Sequence, residues 1–193
     1  MDTRTQGRLT LLGIAALFIL PIVVAAFMYF GEGQMRPGSS TEYGLLVQPP
    51  RLLPADALTQ ADTGEKLREI WTMVVISEGN CNARCRSALV KMRQIRLALG
   101  PKMARIQTVF VPINAAALNT ELRNQHPKLI IAGEPMAGHI HSVVKTTDMG
   151  ADLAGEIYLI DPLGNLMMSY GKDAEMSGIR KDLTKLFKLS TIG

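Results

Sequence analysis

Cysteine is nearly missing from this chain: Cys81 and Cys85 are the only two in 193 residues. Two cysteines cannot build the multi-bridge framework of a small secreted fold, and their close spacing marks them as one redox or metal pair. Aromatic residues are also scarce, at 5%, so any core must be mainly aliphatic, with 11 methionines to fill it. No charge sign dominates. The net charge is +4, and the basic residues are spread without interleaved aromatics, which argues against a nucleic-acid surface. No nucleotide-binding loop, zinc-ligand spacing, hydrolase triad or internal repeat is present.

The longest absence is of charge itself, since residues 9–30 carry none. At about 1.5 Å per residue in a helix, that run covers the ~30 Å hydrocarbon core of a bilayer. Pro21 near its middle is tolerable in a membrane helix, and Tyr29 and Phe30 suit an interface. The run exceeds the apolar core of a cleaved signal peptide, about 7–15 residues, and no A-x-A pattern follows it. An uncleaved anchor over 9–30 is therefore expected. Arg4 and Arg8 precede it, whereas Glu32 and Arg36 follow it. The positive-inside rule then puts residues 1–8 in the cytoplasm. The rest would face the periplasmic side of the inner membrane, where a disulfide persists.

What is present beyond the anchor reads as a linker and one domain. Residues 31–62 include Pro37, Pro49, Pro50 and Pro54 with several Gly and Ser, the composition of an extended linker. Residues 63–193 contain the regular patterns. Residues 70–77 are almost continuously apolar, as in a buried central strand. A turn follows, and residues 81–99 then place Cys85, Ala88, Leu89, Met92, Ile95 and Leu99 on one helical face. Gly100 and Pro101 end that helix. Residues 106–111 form a second strand, and Asn114 is placed to cap a helix running to Gln125. Residues 129–132 are a short strand or loop, and 133–155 read as irregular. Residues 156–160 and 166–170 form a hairpin around an Asp-Pro-Leu-Gly-Asn turn. A final helix over 174–189 buries Met176, Ile179, Leu183, Leu186 and Phe187. The fold class is α/β: a thioredoxin-like mixed sheet flanked by helices, with one N-terminal transmembrane helix. The crossover rule makes the two strands flanking the cysteine helix parallel neighbours.

The chemistry follows from placing the cysteines between the first strand and first helix of that domain. Cys81 at a helix start is where unpaired N–H groups and the helix dipole favour a reactive thiolate. Cys85, one turn on, shares its side of the helix and aligns with the buried stripe. The spacing predicts Cys81 as the exposed attacking sulfur and Cys85 as the sheltered resolving one, close enough for a disulfide. The same pair could grip a soft ion such as Cu(I).

At these residues the chain resembles the SCO/SenC family of cytochrome c oxidase assembly proteins. The likeness is carried by the anchor, by the C-x3-C pair Cys81-Asn82-Ala83-Arg84-Cys85, and by the strand and turn over 158–165. It covers about residues 70–189. It implies a thioredoxin-like fold and copper bound by two cysteines and a distant histidine. It also implies work on the oxidase's dinuclear copper site, by copper delivery or thiol reduction. Three departures bear on that. Asn82 and Arg86 stand where the family usually has proline, and Leu153 stands at the histidine position. No proline lies between Ala137 and Asp161, where thioredoxins usually place a cis-proline. The departures shift weight from copper towards thiol chemistry.

Met136, His139 and His141 supply thioether and imidazole groups that suit copper, in a stretch that could fold towards Cys81. They are more simply read as a gap-filling methionine and two solvent-facing histidines, since ligand type without geometry is weak evidence. His126 at a helix end reads as a favourable C-terminal charge. Arg84, Arg86, Lys91, Arg93 and Arg96 share the cysteine helix, either as a solvated face or as a docking surface for an acidic partner. The expected function is oxidase assembly through thiol–disulfide exchange, Cu(I) handling or both. The partner would be the oxidase's copper-bearing subunit or another assembly factor. The alternatives are a general periplasmic disulfide reductase and a non-catalytic docking module.

Overall fold

The computed structural model describes residues 3–30, 42–59, 64, 66–78, 81–113, 120–147 and 155–192. The chain divides into two compact units, residues 1–41 and 42–193. The first contains helix α1, Thr3–Phe30, which continues through Pro21. Its described side chains are exposed, Leu17, Phe18 and Ile22 among them at 72%, 68% and 69%. Among the described residues no helix is long and apolar enough to cross a membrane.

The second unit is built on a six-stranded sheet. In chain order its elements are β1 (Leu45–Leu52), β2 (Trp71–Glu78), α2 (Ala83–Ala98), β3 (Ile106–Ile113) and α3 (Thr120–Gln125). These are followed by β4 (Leu129–Ile131), α4 (Met136–Lys145), β5 (Ile157–Ile160), β6 (Asn165–Tyr170) and α5 (Met176–Leu189). The strands lie in the order β1-β6-β5-β2-β3-β4. As expected, β2 and β3 pair in parallel around the α2 crossover, and β5 and β6 form an antiparallel hairpin. The hairpin turn is held by Asp161, whose Oδ1 accepts the backbone N–H groups of Leu163 and Asn165 at 2.9 and 2.8 Å.

Strand β2 has seven of its eight residues buried, because helices cover both faces of the sheet. Trp71, Met73 and Val75 point to one face and pack with α2 and α5. Val74 and Ile76 point to the other and pack with α4 and the turn at Ala57 and Leu58. The cysteines belong to the first of these two cores.

Four sequence expectations change. Part of the expected linker, residues 45–52, is the edge strand β1, paired antiparallel with β6. Its prolines fit because an edge strand does not need every N–H, and the pairing shifts register between Leu46 and Arg51. Val47 and Leu53, at 5% and 2% exposure, anchor it in the second core. The region 133–155 is not wholly irregular, since α4 occupies residues 136–145 and buries Met136, Ala137, Ile140 and Val144. The last helix starts at Met176 rather than 174, and Met176 is exposed rather than part of the buried stripe. His126 is buried just beyond α3 and does not act as an exposed helix-end charge. Asn114 and Leu153 lie outside the described residues.

The start of this unit is tied to its last helix. The buried carboxylate of Asp182 on α5 accepts the backbone N–H groups of Tyr43 and Gly44 at 2.8 and 3.1 Å. It also accepts the Tyr170 hydroxyl at 3.3 Å. Burial, and then the nearby Asp182 charge, push the Tyr170 phenol well above its ordinary pKa.

Candidate functional site

Strand β2 delivers the chain to the sheet edge at Glu78, and α2 begins five residues later at Ala83. Asn82 is the N-cap: its side chain accepts the backbone N–H of Cys85 at 3.0 Å. Cys81 therefore precedes the cap instead of opening the helix, and Cys85 sits inside the first turn. The two sulfurs form a disulfide, with Cα atoms 5.3 Å apart, an ordinary separation for such a bond.

Burial is graded between the two cysteines, but less steeply than the sequence reading expected. Cys85 is fully buried, while Cys81 keeps 8% of its surface. The bond holds Cys81 against the same core that shelters Cys85, with Ala88, Leu89 and Met92 beneath them on α2. The expectation of an openly exposed Cys81 is corrected in this disulfide state. The order of accessibility is unchanged.

The basic residues of α2 hold the helix in place. Arg86 Nε donates to the Cys81 carbonyl at 3.1 Å, which fixes the corner that carries the disulfide. Lys91 Nζ donates to the carbonyls of Lys172 and Ala174 at 2.9 and 2.7 Å. Arg93 Nη1 reaches the Gln125 carbonyl at 3.2 Å, and Arg96 Nε the Ile106 carbonyl at 2.8 Å. Four of the five cations thus also tie down backbone carbonyls, while Arg84, Arg86 and Arg93 stay exposed, as the reading of a solvated face expects. A cavity of about 410 Å³ beside α2 is lined by Arg84, Ser87, Lys91, Gly155 and Lys172, among others. Gly155 closes on the helix start: at φ +89°, an added Cβ would lie 3.1 Å from the Arg84 Cβ. Any side chain there would be strained on both counts.

Met136, His139 and His141 do not join the cysteines. They lie on α4, whose buried face packs into the core on the opposite side of the sheet. Met136 is fully buried there, and His139 Nε2 lies 2.9 Å from an Asp56 carboxylate oxygen. The simpler reading, a gap-filling methionine and two solvent-facing histidines, holds, whereas the expected loop is a helix whose period over 136–145 was masked by Gly138 and the two histidines. Among the described residues no group of three or more His, Cys, Asp or Glu could hold a metal ion. Among the described residues the pair offers its two sulfurs and gathers no third His, Cys, Asp or Glu ligand. Sequence reasoning passed over Asn82 as a cap, although an Asn just before a helical stripe is the usual signal. It also passed over Gly155.

Over residues 71–190 the chain matches the family model described as "Transmembrane-like, thioredoxin-like, C-terminal domain". Over residues 2–32 it matches "Transmembrane-like, N-terminal domain". No curated protein matches it. Among solved structures, apo Sco1 from Thermus thermophilus superposes with a TM-score of 0.56 at 18% identity, covering 77% of this chain and 99% of that one. Copper-bound yeast Sco1 gives 0.52 at 17% identity, over 74% of this chain and 92% of that one. A SCO1/SenC family lipoprotein from Bacillus anthracis gives 0.52 at 15% identity, over 72% and 98%. At such identities the likeness is one of fold, and it agrees with the SCO/SenC resemblance read from the sequence. With the model spanning residues 71–190, the chain belongs to the transmembrane-like, thioredoxin-like family and shares its fold with the Sco proteins.

Proposed function

We propose that the protein is a membrane-anchored thiol–disulfide exchange factor for assembly of a respiratory oxidase. The observation that carries this reading is the Cys81–Cys85 disulfide at the start of α2, with Cys81 the more accessible of the two. In the reduced protein, the Cys81 thiolate attacks a disulfide on the partner. A mixed disulfide forms, and the partner's displaced sulfur leaves with the electron pair and takes a proton. The Cys85 thiolate then attacks the Cys81 sulfur, the partner leaves as a dithiol, and the disulfide described here is the product. Two electrons have passed to the partner, and an external dithiol reductant must restore the pair.

The oxidase as target is supported by the C-x3-C resemblance and the shared fold. The anchor is supported by α1, by its charge-free sequence and by the family match over residues 2–32. Copper as cargo is less well supported, because among the described residues no third His, Cys, Asp or Glu ligand joins the two sulfurs.

The test is a Cys85→Ser variant expressed in its own host, which should accumulate a reductant-sensitive adduct through Cys81 to an oxidase subunit or assembly factor. Cys81→Ser should trap nothing. If neither variant traps any thiol-bearing protein and oxidase assembly is normal in both, exchange is not the function. An equimolar Cu(I) complex of the reduced protein that survives a competing chelator would instead favour copper handling.

A further inference from the structure

A second cavity, of about 220 Å³, has no part in the cysteine chemistry. It opens between α2 and the sheet margin formed by β3 and β4. Leu89, Leu97 and Leu129 contribute an apolar lining, and Arg93, Arg96 and Lys128 contribute three cations. No acidic residue is among its described lining residues. Leu89 lies one turn along α2 from Cys85, but it faces this cavity from within the core.

The cations are not placed at random. Arg93 and Arg96 are each fixed by one bond to a backbone carbonyl, that of Gln125 for the first and Ile106 for the second. A guanidinium has five N–H donors, so each of these pinned groups keeps donors for an anion at the cavity. Charge-assisted bonds from a pre-positioned guanidinium to a carboxylate are among the stronger polar contacts a protein makes. Fixing the donors beforehand also lowers the ordering cost of binding.

We propose that this cavity binds a small monocarboxylate whose apolar body is about the size of one aromatic ring. The size follows from the volume: an apolar cavity of about 150 Å³ takes benzene, so this one takes a ring plus a carboxylate. The class follows from the described lining, in which three cations stand beside an apolar wall and no carboxylate. His126 also lines the cavity, and burial and the Arg93 charge lower its pKa. It therefore meets the ligand as a neutral imidazole near neutral pH.

The experiment uses the full chain in a non-ionic detergent, labelled for amide NMR, with benzoate as the probe and benzamide as its uncharged match in size. Benzoate should give saturable shifts at Leu97, Lys128 and Leu129. Benzamide should bind at least ~10-fold more weakly, the difference that about one desolvated charge-assisted contact supplies. Lys128→Gln should weaken benzoate roughly threefold, as loss of one exposed cation does. The proposal is overturned if benzoate gives no saturable shift there, or if benzamide binds as well as benzoate. Unchanged benzoate affinity in a folded Arg93→Gln, Lys128→Gln double variant would overturn it too. The comparison of the two probes needs no variant, so a variant that fails to fold does not weaken the test.

Discussion

Asn82 stands between the two cysteines and caps the helix that carries one of them: its side-chain oxygen accepts the Cys85 N–H at 3.0 Å. The SCO/SenC resemblance puts a proline at this position, and Asn82 has φ −73°, which a proline ring also allows. Asn82 and a proline would hold this corner in two different ways. One satisfies an orphan donor, whereas the other narrows the unfolded ensemble.

Asn82→Ala removes the cap without the compensation of a ring. It should cost about 1 kcal/mol and lower the melting temperature by roughly 2–4 °C. Asn82→Pro should cost less than Asn82→Ala, because rigidity in the unfolded chain offsets part of the lost bond. Thermal unfolding of the oxidised protein reads both. An alanine variant as stable as the parent would show that the cap contributes nothing.

Asp182 is the second residue whose removal has a calculable effect. It is buried and accepts two backbone N–H groups and a phenol. Asp182→Ala strands the buried Gly44 N–H and strips the partly buried Tyr43 N–H and the Tyr170 hydroxyl of their carboxylate acceptor, so a loss of about 1–3 kcal/mol or more is expected. The damage should be directional. The stranded amides belong to Tyr43 and Gly44, directly before β1, so hydrogen exchange should quicken first in residues 45–52. Asp182→Asn keeps one acceptor and should lose less. If exchange in β1 keeps its parental rate in the alanine variant, the carboxylate does not hold that strand.

What the sequence revealed and what it concealed divide along physical lines. Strands β2 and β5 were legible because strands covered on both faces read as unbroken apolar runs, and α2 because its stripe has a clean helical period. The Asp161 turn was legible because its bonds are local. Strand β1 was hidden by Pro49 and Pro50, which mark linkers and edge strands alike, and only pairing with the distant β6 decides between them. Helix α4 was hidden by Gly138 and by two histidines that suggested ligands. The cysteine pair itself was legible, since two residues in one turn after a buried strand need no long-range information. The difference in burial between Cys81 and Cys85 was overdrawn, because the bond between them depends on the redox state and not on the sequence.

His126 gives a pH signature of known sign. Burial, and then the charge of Arg93, lower its pKa in the folded chain below the ordinary 6.5. The unfolded chain therefore binds the proton at higher pH than the folded one. The stabilisation this provides is complete above about pH 6.5 and is lost as pH falls from there through the folded-state value. Between pH 7 and 5 the parent should lose more stability than His126→Gln in matched urea titrations. Parallel curves for the two proteins would mean that the imidazole is not held neutral by the fold.

The side of the membrane on which the cysteines lie decides whether the proposed chemistry has a setting. Arg4 and Arg8 precede the charge-free run, and the second compact unit begins at Glu42. If that run is the proposed anchor, a basic bias of this kind puts the N-terminus in the cytoplasm. After reduction with a membrane-impermeant phosphine, Cys81 should react with an impermeant maleimide in intact spheroplasts. Cys85, fully buried, should react more slowly. Replacing Arg4 and Arg8 by glutamate while adding lysines after residue 30 should reverse the orientation and abolish labelling without lysis. If the parent labels only after the inner membrane is broken, the domain faces a reducing compartment. The disulfide could not then persist as the resting product of exchange, and a cytoplasmic thiol partner would have to replace the oxidase.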